Sequence, residues 1–260
     1  MRRSRSFTSP TSPFDVRTDD DVRLSGHRLG DGPAALVFAH GFLGWHRKPR
    51  LVEFQEALAR RFTVYGFDLR GHGASGGESS FGTYEFLDVD AVVRRARSDG
   101  FERVVTFGGS MGGIAVIRQA ALRGGVDAAV SASAPARWRG HQSAAVHRLT
   151  LLTGTGAGRA ALRLAGARVA HPWPEAEDPV DLVGRIAPAP FVVVHGIDDH
   201  YFDVEQAWML YRAANEPKRL LLSPRFGHAE DGYTPAFAER LHRTLEPLLS
   251  REATSWSAAP

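Results

Sequence analysis

Residues 35–39 read Ala-Leu-Val-Phe-Ala, five apolar positions without a break, ending at His40-Gly41. A strand with one wet face would alternate, whereas an unbroken apolar run closed by turn residues suits a strand covered on both faces. Similar runs return at Phe62–Phe67, Arg103–Phe107, Val126–Ser131, Phe191–Val194 and Arg219–Leu222. Between them the apolar spacing becomes helical. Leu51, Phe54 and Leu58 share a face within 51–60, and Phe86, Val89, Val92, Val93 and Ala96 do so within 84–98. Further helices are expected over 111–123, 204–214 and 235–249. Alternation belongs to the start of the chain. There Phe14–Thr18 and Val22–Leu29 flank the polar turn Thr18-Asp19-Asp20-Asp21 and predict an antiparallel hairpin.

Strands alternating with helices at this spacing predict an α/β fold of right-handed βαβ units with a mostly parallel central sheet. The alternation stops at Pro135 and resumes at Phe191. Residues 136–187, rich in Ala, Arg, Leu and Gly, are read as an insertion forming a short helical lid, with helices near 142–152 and 159–169. Residues 1–13 are rich in Ser and Pro and read as a disordered leader, so a single domain is expected over 14–260. A chain of 260 residues is long enough to bury one sizeable core without dividing.

Charge narrows the partners. The net charge of +3 lies in the leader: without Arg2, Arg3 and Arg5, 29 of the 32 basic residues remain against 29 acidic ones. A balanced body offers no electrostatic footprint for nucleic acid or an acidic membrane. There is no cysteine, which removes disulfides, thiolate zinc sites and cysteine nucleophiles together and fits a cytoplasmic location. The basic start is followed by no apolar stretch of the signal-peptide kind, and no later run has the length of a membrane span.

Candidate chemistry begins at Gly108-Gly109-Ser110-Met111-Gly112-Gly113, between a predicted strand and a predicted helix. A serine in so sharp a strand-to-helix turn takes strained backbone angles, so the residues two before and two after it must be small. The turn lifts the hydroxyl over the sheet's carboxyl edge, and the helix behind it offers backbone N–H groups to a developing oxyanion. A serine hydroxyl needs a base, and the base needs an orienting acid. Asp198-Asp199 follow the strand at 191–194, and His228 follows the strand at 219–222, which gives the chain order serine, acid, histidine. His200 is too local to the acid to bridge it to the serine, and His242 falls within the final helix.

With these residues the chain resembles the α/β-hydrolase superfamily over nearly all of 14–250, most of all its short-lidded esterase and acyl-peptidase-like branch. His40-Gly41-Phe42 is similar to the family's HG element, and Asp68-Leu69-Arg70-Gly71-His72-Gly73-Ala74-Ser75 to its DxRGxGxS turn. The resemblance implies Ser110 as nucleophile and His228 as base. It implies Asp199 rather than Asp198 as acid, through the spacing Gly196-x-x-Asp199. The backbone N–H groups of Phe42 and Met111 would form the oxyanion hole. Asp68, Arg70, His72 and His40 would then be structural. Gly109 departs from the family, where a bulky or polar residue often precedes the serine.

The implied activity is cofactor-free cleavage of a carboxylic ester, thioester or amide of a small or medium acyl group, through an acyl-enzyme. Serine at the turn is at odds with haloalkane dehalogenases and epoxide hydrolases, which need aspartate there. Perhydrolase chemistry, acyl transfer or carbon–carbon hydrolysis would use the same residues, and a non-catalytic ligand-binding fold is a further alternative. Gly154-Thr155-Gly156-Ala157-Gly158 lacks a P-loop's Lys-Ser/Thr and follows no strand, so it reads as a lid hinge. Trp138 and Trp173 flank the lid and could wall a pocket. No metal site is expected from the scattered His141, His147 and His171.

Overall fold

The hairpin comes first in a computed structural model that describes residues 4–137 and 144–250. β1 (Thr11–Arg17) and β2 (Arg23–Leu29) pair antiparallel around a turn in which Asp21 donates its N–H to the Thr18 carbonyl at 3.0 Å. The chain then alternates through β3 (Ala35–Ala39), α1 (Pro49–Leu58), β4 (Thr63–Phe67), α2 (Glu85–Ser98), β5 (Val104–Gly109), α3 (Met111–Leu122) and β6 (Ala128–Ala132). A helical cap comes next, α4 (Ala144–Gly154) and α5 (Gly156–Leu164), and then the short α6 (Pro179–Leu182). β7 (Phe191–Gly196), α7 (Val204–Ala213), β8 (Lys218–Ser223) and α8 (Pro235–Leu249) complete the order. Among the described residues the strands form one eight-stranded sheet in the order β1-β2-β4-β3-β5-β6-β7-β8, parallel from β4 to β8.

Two features differ from expectation at the N-terminus. β1 takes in Thr11, Ser12 and Pro13, which composition assigns to the leader, because proline is tolerated on an edge strand and β1 is the sheet's edge. Residues ahead of it lie along α1. The Thr8 hydroxyl donates to Glu56 at 2.7 Å and Arg5 pairs with Glu53, so this part of the leader is held in place.

Successive side chains of a strand point to opposite faces, so each buried strand feeds two cores. Ala35, Val37 and Ala39 enter the cluster under α2, α3 and α7, while Leu36 and Phe38 enter the one under α1 and α8. Each fully buried Leu or Phe contributes about 1.5–3 kcal/mol through removal of apolar surface from water. The insertion expected as a lid over 136–187 is shorter than that. Leu182, Val183 and Ile186 are buried in the larger core and belong to the body of the domain. The first residues of the helix expected near 142–152 lie outside the described residues.

The turn after β4 ties these parts together. The buried Asp68 carboxylate accepts the N–H groups of His46 and Ala74, both at 2.8 Å. Arg70 is clamped between Asp88 at 2.8 Å and Asp20 at 2.7 and 2.9 Å. The chain leaving the cap is stitched to the same loop, Arg168 N–H to Gly71 O and Ser79 N–H to Arg168 O, each at 2.8 Å.

Candidate active site

Ser110 joins β5 to α3 with φ 52° and ψ −115°, a left-handed conformation that costs a non-glycine residue about 1–3 kcal/mol. The surroundings enforce it. Its N–H donates to Ala132 O at 2.8 Å, and its carbonyl accepts from Gly113 and Ile114 at 2.9 and 3.1 Å. A Cβ on Gly108 would lie 2.1 Å from the Gly112 carbonyl oxygen, and one on Gly112 would lie 2.4 Å from that of Ala39, so both glycines are required. Gly109 has its own reason: a Cβ there would stand 2.0 Å from the Tyr233 hydroxyl. The space a side chain would need here is taken by the end of the Tyr233 ring.

The registers bring the ends of β5, β7 and β8 to one edge, with Gly109 opposite Ala132 and Gly196 opposite Ser223. From β7 the chain turns into Asp199, whose side chain is fully buried. Its Oδ1 accepts the N–H groups of Tyr201 and Phe202 at 2.8 and 3.1 Å. From β8 the chain reaches His228, whose Nδ1 lies 3.0 and 2.9 Å from the two Asp199 oxygens. Burial alone would raise the Asp199 pKa, but the hydrogen bond and charge of His228 and the two backbone donors hold it below the ordinary carboxylate value. Asp198 does otherwise: it is exposed and accepts the Arg225 N–H at 3.3 Å.

Aromatic residues that sequence reasoning missed position the imidazole. The Tyr201 ring lies 4.5 Å from that of His228, and Phe202, 2% exposed, lies 5.7 Å away. The aromatic pair just after the acid was the available signal.

Ser110 and His228 line one cavity of about 490 Å³, together with Gly41, Phe42 and Met111. The Gly41–Gly44 loop crosses the serine: a Cβ on Gly41 would be 3.5 Å from Ser110 Cβ. Two histidines anchor this loop. His40 Nε2 accepts from Leu69 N–H at 3.1 Å while its Nδ1 faces Gly41 O at 2.7 Å. His72 Nε2 accepts from Leu43 N–H at 3.3 Å while its Nδ1 faces Arg70 O at 3.0 Å. Both rings thus use each nitrogen in the neutral tautomer with the proton on Nδ1, which leaves neither one for proton transfer.

The cap closes the cavity with Val146, Leu149, Leu152 and Leu162. Trp173 packs on Phe81 at 4.4 Å, and Phe81 in turn lines the cavity. Trp138 and His141 lie outside the described residues, and His147 and His171 are exposed. The glycine-rich segment 154–158, expected as a lid hinge, joins α4 to α5. Thr155 caps α5 by accepting Gly158 N–H at 3.0 Å, and a Cβ on Gly158 would meet Leu152 O at 1.9 Å.

Ser110 on its strained strand-to-helix turn thus shares a cavity with His228, which is paired with Asp199 from the loops after β8 and β7. The profile of the Alpha/beta hydrolase family matches residues 36–257, and the chain belongs to that family. It is 30% identical over 238 residues to the uncharacterized protein YfhR of Escherichia coli O157:H7, covering 85% of this chain and 72% of that protein. Among solved structures it is similar to the esterase Pf2001 of Pyrococcus furiosus, with a TM-score of 0.75 and 19% identity over 96% of this chain and 99% of that one. It is also similar to the esterase RhEst1 of Rhodococcus sp. ECU1013, with a TM-score of 0.72 and 20% identity over 91% of this chain and 99% of that one. At these identities the solved structures speak to the fold.

Proposed function

We propose that the protein is a serine hydrolase that cleaves a carboxylic ester, thioester or amide of a small or medium acyl group through an acyl-enzyme. The observation that carries the reading is the double approach of His228 Nδ1 to Asp199, on a ring that lines the same cavity as Ser110. With Nδ1–H donating to the carboxylate, Nε2 is the nitrogen left to take a proton.

In the first step Ser110 Oγ attacks the carbonyl carbon and its proton passes to His228 Nε2. The oxyanion accepts hydrogen bonds from the backbone N–H groups of Phe42 and Met111. The carbon–heteroatom bond then breaks, and His228 returns the proton to the leaving group. Water repeats the sequence on the acyl-enzyme and releases the acid. Asp199 remains ionised and stabilises the imidazolium. The cavity volume lies in the lower half of the ~300–1,000 Å³ range of small-molecule sites, in keeping with short acyl groups.

The test is covalent labelling by a fluorophosphonate, run beside turnover of activated esters, thioesters and anilides. Ser110→Ala should lose the label and reduce turnover by ~10³ or more while keeping the fold. Ester hydrolysis persisting in purified Ser110→Ala would sink the assignment.

A further inference from the structure

The catalytic scheme leaves two polar residues that line this cavity unused. The Tyr233 hydroxyl and Glu230 Oε2 are both buried, and among the described residues neither has a hydrogen-bond partner. Buried polar groups are almost always paired, so two orphans in one site call for an explanation. Both residues line the cavity that holds Ser110 and His228.

The Tyr233 ring cannot turn away. The Tyr233 residue is 7% exposed, with its ring stacked on Phe54 at 4.5 Å and packed against Phe107 at 5.4 Å. Its hydroxyl stands beside Gly109, the residue preceding the nucleophile. Burial, with the Glu230 charge nearby, holds the phenol well above its ordinary pKa, so it keeps its proton to donate. The other Glu230 oxygen is engaged by the Lys48 ammonium. A short turn, Ala229–Gly232, fixes both residues just past His228, with His228 N–H donating to Asp231 at 3.2 Å and Tyr233 N–H to Glu230 O at 3.3 Å.

We infer that these two groups form a subsite for a hydroxyl of the substrate, which donates to Glu230 Oε2 and accepts from the Tyr233 hydroxyl. The inference rests on the hydrolase reading above. A single hydroxyl supplies the one donor and one acceptor that the pair lacks. An ammonium suits it less well, because Lys48 already balances Glu230 and Tyr233 would gain no acceptor. A carboxylate would face the Glu230 charge. A plain alkyl chain would leave both atoms buried and unpaired, and sites built to bind a hydroxyl reject analogues that lack it.

The hydroxyl can belong to the leaving alcohol or to the acyl group, and paired substrates separate the two. One pair is glycerol monobutanoate against propyl butanoate. The other is a hydroxybutanoyl against a butanoyl ester of the same alcohol. The wild-type protein should favour the hydroxylated member of one pair by about tenfold or more in kcat/KM. Tyr233→Phe and Glu230→Met should each bring that ratio to within about threefold of one. Tyr233→Phe should melt no lower than wild type, since it removes only an unpartnered hydroxyl. A wild-type ratio near one in both pairs, as a trapped water would produce, overturns the subsite while leaving the hydrolase reading intact. A marked loss of thermal stability in Tyr233→Phe also overturns it, by revealing an internal partner. If wild type hydrolyses no more than Ser110→Ala, the hydrolase reading falls and the subsite with it.

Discussion

Replacing Asp199 by asparagine changes one atom, and the hydrogen bonds around that atom dictate the consequence. Oδ1 accepts two backbone N–H groups, from Tyr201 and Phe202, at 2.8 and 3.1 Å. An amide nitrogen cannot accept them, so the asparagine carbonyl must occupy the Oδ1 position. Its NH₂ group then takes the place of Oδ2, which lies 2.9 Å from His228 Nδ1. An NH₂ there donates to Nδ1 and, in competition with the carbonyl 3.0 Å away, favours the imidazole with its proton on Nε2, the nitrogen that must accept the serine proton. The base is thus held in the wrong tautomer with its position unchanged. The expected loss is ~10⁴ in kcat, or about 5 kcal/mol of transition-state stabilisation at 1.36 kcal/mol per tenfold. Asp198→Asn touches only an exposed hydrogen bond to Arg225 N–H and should stay within about threefold of wild type. The assay is steady-state hydrolysis of an activated butanoyl ester by both variants, with melting curves to show that each is folded. A loss below about tenfold in Asp199→Asn, or a larger one in Asp198→Asn, would refute the reasoning.

His27 is 4% exposed, and burial, together with the charges of His46 and Arg47, lowers its pKa to about 3. Below the unfolded value of about 6.5 the unfolded chain takes up a proton that the native state refuses, so stability is full above that value and falls on acidification, by ~2–3 kcal/mol at pH 4.5. Denaturant midpoints across this range should depend less steeply on pH in His27→Gln, and parallel slopes would remove His27 from the explanation. Gly112→Ala places a methyl 2.4 Å from the Ala39 carbonyl oxygen, and should lower stability by roughly 1–3 kcal/mol as well as activity; a fully stable, fully active variant would count against the strained turn. Butanoyl esters should exceed hexadecanoyl esters in kcat/KM at a matched leaving group. The reverse order, with activation at an oil–water interface, would show that the cap opens onto lipid, for which the exposed Leu151 and Leu164 on its surface would be the place to look.

The sheet was legible because its strands are short apolar runs between turn residues, a pattern that local chemistry alone produces. Val37 and Phe38 read as one buried run, but their division between two cores on opposite sides of the sheet is a property of the folded layers. Ser110 stood out through its glycines, since the crowding at Gly108 and Gly112 arises within the turn and against the strand beside it. The choice between Asp198 and Asp199 was different. Successive residues point apart, and which of them meets His228, 29 positions on, depends on how the loops after β7 and β8 sit side by side. The reason for Gly109 was beyond sequence reading altogether, because the Tyr233 ring that fills its space arrives from more than a hundred residues away. The extent of the cap was likewise decided in three dimensions: Leu182, Val183 and Ile186 come after it in the chain, but their apolar surface is buried against the body of the domain. Composition could place an insertion between Pro135 and Phe191. Only packing could say where it stops being a lid.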